Sequence, residues 1–383
     1  MIARRARYRW KSILVIALLI GGSDATLAFA QEAPVLSYGE PAEVGLSPAV
    51  LAGALGMYEE AVERGDLVGA VVLVARNGRV VLHEAIGMSD KEAGRAMQRN
   101  TMFHMASNTK PVVAAAIAQQ VEAEQLAYSD LVREYIPEWD NYRAGFITIG
   151  QMLSHTSGFR INSLFLPPSS ANTSLQQAAA RFGEVGAKVT PGTSYSYSNP
   201  GYNTLGALLE MQSGQLLEAH LDDAIYTLLG MDDSYNYQAD HPLEGKRDRL
   251  GPMYYQRGDD GAWMPAQATT IPFARGSGGM VSTAWDYAVF CQMILNGGTY
   301  NGTQILDPES VKLMTSPKTE TPFGAYGYGW MLNDGIIFHG GSDGTDAWID
   351  PEHGIIGLVF TQTPRGRPSI GRFRELVNLS IER

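Results

Sequence analysis

Two side chains that could form a nucleophilic centre stand one helical turn apart. Ser107 and Lys110 make up Ser107-Asn-Thr-Lys110, the one Ser-x-x-Lys sequence in the chain. A serine hydroxyl is a weak nucleophile unless a neighbouring base takes its proton, and a lysine at i+3 lies on the same helix face. Pro111 and an Ala/Val-rich stretch follow, which indicates that Lys110 enters a buried helix where its pKa would fall. The alternative is an N-cap serine followed by a solvated lysine.

A phenol and an amide form the second candidate pair. Tyr197 and Asn199 make up the one Tyr-x-Asn sequence, and proline and glycine residues flank it on both sides. Such flanks predict a loop, where a hydroxyl and an amide can face a cleft. The alternative is that Asn199 only stabilises a turn.

A glycine pair follows a histidine at the end of a predicted strand, in His339-Gly340-Gly341-Ser342. Glycine lets a ligand approach the backbone closely, and the N–H of Ser342 could donate a hydrogen bond to an oxyanion. The alternative is a glycine turn between strands.

The segment Gly340–Gly344 also matches G-x-S-x-G, the nucleophile elbow of alpha/beta-hydrolases. That elbow needs a following helix, and a strand is predicted here, so Ser342 is not the expected nucleophile.

Three other conspicuous side chains are given structural roles. His155 and Ser157 are predicted to hold a loop, since no nucleophile–base geometry follows from their spacing. Cys291 lies on an apolar helix face and is predicted to be part of the core. The seven histidines contain no His-x-x-x-His pair, so neither a metal site nor a cofactor is predicted.

The elements that position these residues include strands near both ends of the chain. Two β-branched runs around Asn77-Gly78 predict a hairpin over residues 70–85. Strands are predicted again near the end of the chain, at 326–332, 335–339, 346–350 and 354–361. Helices are predicted from Pro48 to about Gly65, from about Ser107 to Glu124, through Trp285 to Leu295 and from Ile370 to Ile381. The middle is mostly helix and loop. This order predicts an α+β fold: an antiparallel sheet flanked by helices and formed by both termini, with an all-helical inserted region.

The N-terminus has the features of a secretory signal peptide. Basic residues crowd positions 1–11, an apolar stretch follows at Ile13–Ile20, and Ala28-x-Ala30 precedes Gln31. The apolar stretch is shorter than the ~20 residues of a membrane span; an uncleaved anchor is the alternative. We therefore expect an exported protein, periplasmic or extracellular. Its parts are a signal peptide (1–30), a discontinuous α/β domain (31–127 and 276–383) and a mostly helical region (128–275).

Charge restricts the partners of the exported chain. The sequence has 29 Lys and Arg residues against 40 Asp and Glu residues, a formal net charge of −11, and the signal peptide carries mainly basic residues. A chain this acidic repels polyanions, so nucleic acid and anionic membrane surfaces are not expected partners. The expected partner is a small-molecule ester or peptide substrate.

Taken together, the site motifs resemble the serine beta-lactamase-like superfamily, especially its class C branch with the related family VIII carboxylesterases and D-Ala-D-Ala carboxypeptidases. Three elements stand in the family's order: Ser107-x-x-Lys110, Tyr197-x-Asn199 and His339-x-Gly341, the last where many members carry Lys-Thr-Gly. Similar stretches at 153–158, 276–282 and 326–330 extend the resemblance over roughly residues 40–380. It implies the beta-lactamase/transpeptidase-like fold, with the site in a cleft between the sheet and an all-helical region.

The resemblance also implies roles for the matched residues. Ser107 would be the acylated nucleophile, and Lys110 and Tyr197 would share the proton transfers. Asn199 would bind the carbonyl or amide of the substrate, and the N–H groups of Ser107 and Ser342 would form the oxyanion hole. Free lysine and tyrosine have pKa values of about 10.4 and 10, so the pKa of either must fall by about 3 before it acts as a base at pH 7. Burial can do this for the lysine and a neighbouring cation for the phenol, and both routes stay open here.

His339 departs from the lysine that many members carry. A lysine there helps to anchor a substrate carboxylate, whereas a histidine with a pKa of about 6.5 is mostly neutral at pH 7. With Gly341 and Ser342 it is expected to contact the substrate. We predict an exported serine hydrolase that cleaves small esters through a Ser107 acyl-enzyme. The alternatives are a D-Ala-D-Ala-type carboxypeptidase, D-aminopeptidase or weak beta-lactamase with the same catalytic residues, and a non-catalytic penicillin-binding or sensing protein.

Overall fold

The structure is a computed structural model, and it describes residues 33–159, 164, 166, 172–236, 241–266 and 271–382. Short and long strands alternate with helices along these residues. The predicted signal peptide lies outside these residues. The strands are β1 (Ser37–Tyr38), β2 (Gly69–Arg76), β3 (Arg79–Asp90), β4 (Arg95–Ala96), β5 (Phe103–His104), β6 (Tyr235–Asn236), β7 (Tyr254–Arg257), β8 (Trp263–Pro265), β9 (Met280–Ser282), β10 (Thr299–Tyr300), β11 (Thr303–Gln304), β12 (Thr319–Thr321), β13 (Gly324–Tyr326), β14 (Met331–Asn333), β15 (Ile336–Gly340), β16 (Thr345–Asp350) and β17 (Ile355–Thr361). The helices are α1 (Pro48–Glu63), α2 (Thr109–Glu122), α3 (Ile149–Leu153), α4 (Leu175–Val185), α5 (Asn199–Ser213), α6 (Leu217–Leu221), α7 (Thr227–Leu229), α8 (Ala284–Leu295), α9 (Pro308–Met314) and α10 (Ile370–Leu379).

Ten strands form one sheet in the order β1-β3-β2-β17-β16-β15-β14-β13-β12, with β4 paired to β3. The early and late parts of the chain meet where β2 pairs antiparallel with β17, from Arg76 opposite Ile355 to Ala70 opposite Thr361. This confirms the predicted α+β fold with a sheet formed from both ends of the chain. One pair departs from the prediction, because the short strand β1 runs parallel to β3.

Both faces of the sheet are covered, which explains why its central strands are apolar throughout. Side chains of β2 alternate between two cores, as the period of two in a strand requires. Val71 and Leu73 belong to the larger core, which includes α2 and α8. Val72 and Val74 belong to the smaller core, which includes α1 and α10. The helix α2, which carries Lys110, therefore shares the larger core with one face of the sheet.

The predicted strand at 326–332 is wrong in its middle. The chain forms β13, then a turn, then β14, and the Gly327 N–H donates to the Trp330 carbonyl at 2.8 Å inside the turn. Glycines at 327 and 329 allow this reversal, and the alternating aromatic residues that suggested a continuous strand mask it. The turn packs against the start of α2, where a Cβ on Gly329 would lie 3.0 Å from Pro111 Cα.

The middle of the chain contains the helices α3 to α7 together with the short strands β6, β7 and β8. Among the described residues, no helix combines the length and the apolar character needed to cross a bilayer.

Candidate active site

Ser107 lies in a short 3-10 turn of residues 106–108, here called the serine turn, directly before α2. Ala106 has a φ of +45°, a left-handed backbone that costs a non-glycine residue about 1–3 kcal/mol. The neighbouring chain holds it there: Thr109 Oγ1 donates to the Ala106 carbonyl at 2.7 Å and accepts from the Met280 N–H at 3.0 Å. The serine is thereby presented at the N-terminal end of a helix, where the helix dipole favours negative charge.

The turn between β15 and β16 is bound to the serine turn. Asn108 Nδ2 donates to the Thr345 carbonyl at 3.1 Å and to its hydroxyl at 3.0 Å, and that hydroxyl donates to the Met105 carbonyl at 3.1 Å. A Cβ on Gly341 would stand 2.5 Å from the Met105 carbonyl oxygen, so only glycine permits this approach. These contacts bring Gly341 and Ser342 close to the serine turn.

Lys110 is fully buried, and its amine contacts three oxygen atoms. Nζ lies 2.9 Å from Ser107 Oγ, 2.9 Å from Asn199 Oδ1 and 2.7 Å from the Ser277 carbonyl oxygen. Burial, and after it the positive charge of Arg275, hold the pKa of Lys110 well below its ordinary value. The lowered pKa favours the neutral amine form of Lys110 over the ammonium form.

The three contacts also indicate where the lone pair of that amine points. A neutral amine has two N–H bonds and one lone pair. The Asn199 Oδ1 and Ser277 carbonyl oxygens can only accept hydrogen bonds, so they take the two N–H bonds. The lone pair is left for the third neighbour, the Ser107 hydroxyl, which can donate. This arrangement suits removal of the serine proton by Lys110.

Tyr197 lies at the end of the loop before α5, and Asn199 is the first residue of that helix. The Tyr197 ring centre is 4.7 Å from Lys110 Nζ. Burial raises the pKa of Tyr197, and hydrogen bonding with the Ser107 side chain offsets this only in part. The phenol therefore stays protonated near neutral pH. The pKa shifts of the two side chains run in opposite directions, which favours Lys110 over Tyr197 as the base.

His339 is buried and turned toward its neighbours in the sheet. Its Nδ1 lies 3.0 Å from the Gly340 carbonyl oxygen and its Nε2 lies 3.0 Å from the Tyr326 hydroxyl. Burial, and then repulsion from Lys110 when that amine is protonated, lower the pKa of His339 to about 3, so the ring is neutral at pH 7. Since a carbonyl can only accept, Nδ1 carries the proton and Nε2 accepts from the tyrosine. The predicted contact of His339 with substrate stays a prediction.

A cavity of about 210 Å³ opens beside Ser107. Described residues of its wall are Ala106, Ser107, Leu164, Asn199, Arg275, Ser277, Gly278, Ser342 and Asp343. This volume is below the roughly 300–1,000 Å³ of sites for drug-sized ligands. The strand β16 follows Ser342, and the Ser342 hydroxyl donates to Asp343 Oδ1 at 3.0 Å. The geometry of a nucleophile elbow is therefore absent at Ser342.

The segment before β9 contributes two site residues that the sequence analysis did not identify, Arg275 and Ser277. Its signal was the glycine-rich run at 276–279. A Cβ on Gly276 would lie 2.2 Å from the Tyr202 carbonyl oxygen, so glycine lets this segment pack closely on α5. The Ser277 N–H donates to Asn203 Oδ1 at 3.0 Å, which aims the Ser277 carbonyl at Lys110.

His155 holds the loop that carries Tyr197, which confirms its predicted structural role. Its Nδ1 accepts from the Ser198 N–H at 3.0 Å, and its ring centre is 4.2 Å from that of Tyr197. Burial lowers the pKa of His155 well below its ordinary value, so the ring is neutral. The hydroxyl of Ser157, to which a similar role was assigned, is buried without a hydrogen-bond partner among the described residues.

Replacing His155 by leucine is expected to lower the free energy of unfolding by about 1–3 kcal/mol, because the buried Ser198 N–H loses its acceptor. His155→Asn can place an amide oxygen near the position of Nδ1 and is expected to recover most of this loss. Urea unfolding of the two variants measures the difference. Equal destabilisation by both substitutions would contradict the importance of this hydrogen bond.

Two further predictions concern the thiol and metal ions. Cys291 is fully buried, and burial raises the pKa of its thiol, which confirms its place in the core. Within the ranges that the structure describes, no group of three or more His, Cys, Asp or Glu side chains could hold a metal ion.

Comparison with known proteins yields a family match and two kinds of relative. The family model described as Beta-lactamase matches residues 56–378. Esterase EstB of Burkholderia gladioli is 33% identical over 211 residues, which are 51% of this chain and 54% of EstB, so the match spans about half of that esterase. A protein of Salmonella agona named "Putative D-alanyl-D-alanine carboxypeptidase" is 25% identical over 390 residues, covering 88% of each chain.

Solved structures share the architecture over nearly the whole chain. EstCE1, a hydrolase with promiscuous acyltransferase activity, has a TM-score of 0.73 at 23% identity and covers 87% of this chain and 98% of its own. A penicillin-binding protein homologue from Caulobacter crescentus has a TM-score of 0.71 at 21% identity and covers 88% and 99%. At these identities the similarity shows the shared fold alone.

Proposed function

This chain belongs to the beta-lactamase family, and from that premise we propose that it is an exported serine hydrolase that cleaves small esters through an acyl-enzyme on Ser107. The observation that carries the proposal is the 2.9 Å contact between the fully buried Lys110 amine and the Ser107 hydroxyl. A buried amine in this position is a base matched to a serine nucleophile. The export part of the proposal rests on the sequence of residues 1–30 alone.

Acylation begins as the Ser107 oxygen attacks the ester carbonyl carbon and its proton passes to the lone pair of Lys110. A C–O bond forms, and the carbonyl oxygen becomes an oxyanion that accepts from the N–H groups of Ser107 and Ser342. Collapse of this intermediate breaks the bond to the alcohol oxygen. That oxygen takes a proton relayed from the Lys110 ammonium through the Tyr197 hydroxyl. The products are a free alcohol, acyl-Ser107 and a neutral Lys110.

Deacylation runs the same proton path in the opposite direction. A water molecule attacks the acyl carbon and gives a proton to Lys110 through the Tyr197 hydroxyl. The bond to Ser107 Oγ breaks, and Oγ takes that proton back from Lys110. The carboxylic acid leaves and the enzyme returns to its starting state. Acylation passes one proton from the Ser107, Lys110 and Tyr197 set to the alcohol, and deacylation returns one proton to the set from water.

Three features support small esters as the substrates. The cavity beside Ser107 is about 210 Å³, which suits a small acyl or alcohol group. The neutral His339 ring is paired with Tyr326 and adds no positive charge of the kind that a lysine would provide. EstB, a relative at 33% identity, is an esterase.

The second candidate function is cleavage of a D-Ala-D-Ala-type peptide or of a beta-lactam by the same residues. Arg275 favours it, because this cation lines the cavity beside Ser107 and could receive a substrate carboxylate. The Salmonella relative carries the name of such a carboxypeptidase.

Covalent labelling combined with a substrate panel tests the proposal. The protein is incubated with a fluorophosphonate, its intact mass is measured and the labelled peptide is mapped; kcat/KM is then compared for 4-nitrophenyl butyrate, a D-Ala-D-Ala peptide and nitrocefin. We expect one adduct, on Ser107, and the highest kcat/KM on the ester. An adduct on Ser342 would contradict the assigned nucleophile. Faster peptide or nitrocefin cleavage would favour the second candidate, and a stable penicillin adduct without turnover would indicate a binding protein.

A further inference from the structure

Arg275 is a cation in the wall of the Ser107 cavity. Its guanidinium has five N–H donors, and Nη2 donates to the Gly278 carbonyl at 3.0 Å. Among the described residues, no Asp or Glu oxygen lies within 4.0 Å of this guanidinium. A largely buried cation without a directly paired anion is unfavourable, since charges removed from water need a partner.

The nearest acidic group in the cavity wall, Asp343, is already bound by neutral donors. Its Oδ1 accepts from the Tyr255 hydroxyl at 2.7 Å and from the Ser342 hydroxyl at 3.0 Å. Asp343 contributes a favourable field at Arg275 but makes no direct ion pair with it. The other titratable groups in this field are Lys110, Tyr255 and His104. Burial is the main cause of the lowered pKa of Lys110 and His104 and of the raised pKa of Tyr255, so all three favour their neutral forms. The cation remains available to a ligand that enters the cavity.

The backbone around Arg275 is held in place from both sides. Its N–H donates to Asn236 Oδ1 at 3.3 Å, and its carbonyl accepts from the Gly279 N–H at 3.0 Å. Two residues later the Ser277 carbonyl accepts from Lys110. The Arg275 side chain therefore belongs to the same segment whose Ser277 carbonyl orients Lys110, the proposed base. Arg275 and Ser107 line the same cavity.

We propose that Arg275 binds a carboxylate group of the substrate, so that the preferred esters carry a free carboxylate besides the bond that is cleaved. This inference rests on the proposed function, because it names the substrate class of the same site. A planar guanidinium can bind a carboxylate through two parallel N–H···O bonds. Arg275 would thereby supply, from a different part of the chain, the anion contact that the neutral His339 cannot make.

Two matched pairs of esters test the inference. In one pair the carboxylate is on the alcohol side: 4-acetoxybenzoate against its methyl ester. In the other it is on the acyl side: 4-nitrophenyl hydrogen adipate against 4-nitrophenyl methyl adipate. The readout is the ratio of kcat/KM for the charged ester to that for the neutral ester, so any general loss of activity cancels. Wild type, Arg275→Gln and Arg275→Lys are compared, with Arg64→Gln, at an exposed position directly after α1, as a control for total charge.

We expect wild type to favour the charged ester by about tenfold or more in at least one pair, as a charge-assisted hydrogen bond implies. Arg275→Gln should reduce that ratio by about 10- to 100-fold, Arg275→Lys should retain part of it, and Arg64→Gln should leave it unchanged. A ratio near one in both pairs for wild type, or an equal loss on both esters in Arg275→Gln and Arg275→Lys, would overturn the inference while leaving the esterase proposal intact. Failure of wild type to cleave any of the four esters would overturn both.

Discussion

Replacing Ser107 by alanine is expected to reduce kcat/KM for 4-nitrophenyl butyrate by about 10⁴- to 10⁶-fold, because no acyl-enzyme can form without the hydroxyl. Residues that act as one unit lose most of their effect when any member is removed, so little catalysis should remain. Initial rates and the loss of fluorophosphonate labelling measure the effect. The folded state should be retained, because Ser107 lies at the cavity wall and not in the core.

Ser342→Ala is the matched control for this substitution. Both serines line the same cavity, but only the backbone N–H of Ser342 is assigned to the reaction, and alanine keeps that group. We expect kcat/KM to stay within about tenfold of wild type, well short of the loss for a removed nucleophile. A loss similar to that of Ser107→Ala would show that Ser342 is the nucleophile after all.

Replacing Lys110 by methionine is expected to lower kcat/KM by about 10²- to 10⁴-fold, the contribution typical of a general base. Methionine fills much the same volume but has no lone pair to accept the serine proton. Wild-type kcat/KM should rise with pH through the lowered pKa of Lys110, because the neutral amine is the active form. The variant should lack that dependence. Tyr197→Phe is expected to have the smaller effect of the two, and a larger one would assign the base to the phenol.

The same substitution should change the pH dependence of stability in a definite direction. Lys110 has a lowered pKa in the folded protein and a value near 10.4 in the unfolded chain. Between these values the unfolded state binds a proton that the folded state lacks, so the free energy of unfolding of wild type rises with pH. The methionine variant lacks this contribution. Any excess stability of Lys110→Met over wild type at pH 7 should therefore shrink as the pH approaches 10, and thermal unfolding at several pH values measures it.

Periodicity and turn chemistry were sufficient to predict most of the sheet. The β-branched runs on either side of Asn77-Gly78 form β2 and β3, and both turn residues have positive φ, as the predicted hairpin requires. Strands at both ends of the chain predicted that the two ends complete one sheet, and the structure shows that β2 and β17 are the strands that pair. The turn at 327–330 escaped prediction because it depends on packing against α2, which local residue patterns do not encode.

Within the candidate site, the sequence predicted pairs that are close along the chain. Helical periodicity places Ser107 and Lys110 on one face, and the 2.9 Å contact confirms that placement. Asn199 was assigned to the substrate, yet its Oδ1 accepts from Lys110, a contact across 89 positions. Ser277 and Arg275 were not identified, because the glycine-rich run at 276–279 indicates only a close backbone approach and does not show what the Ser277 carbonyl or the Arg275 side chain contacts.

The sequence by itself determined which chemical groups are present and which neighbours along the chain share a helix face. It left open whether Lys110 or Tyr197 serves as the base, since a pKa depends on the solvent and the charges around a group. Tertiary packing favours Lys110, because burial lowers the pKa of the amine and raises that of the phenol. It also neutralised His339 and put the cation of Arg275 into the cavity wall. Charge state follows from what surrounds a side chain, and that surrounding is assembled from residues far apart in the chain.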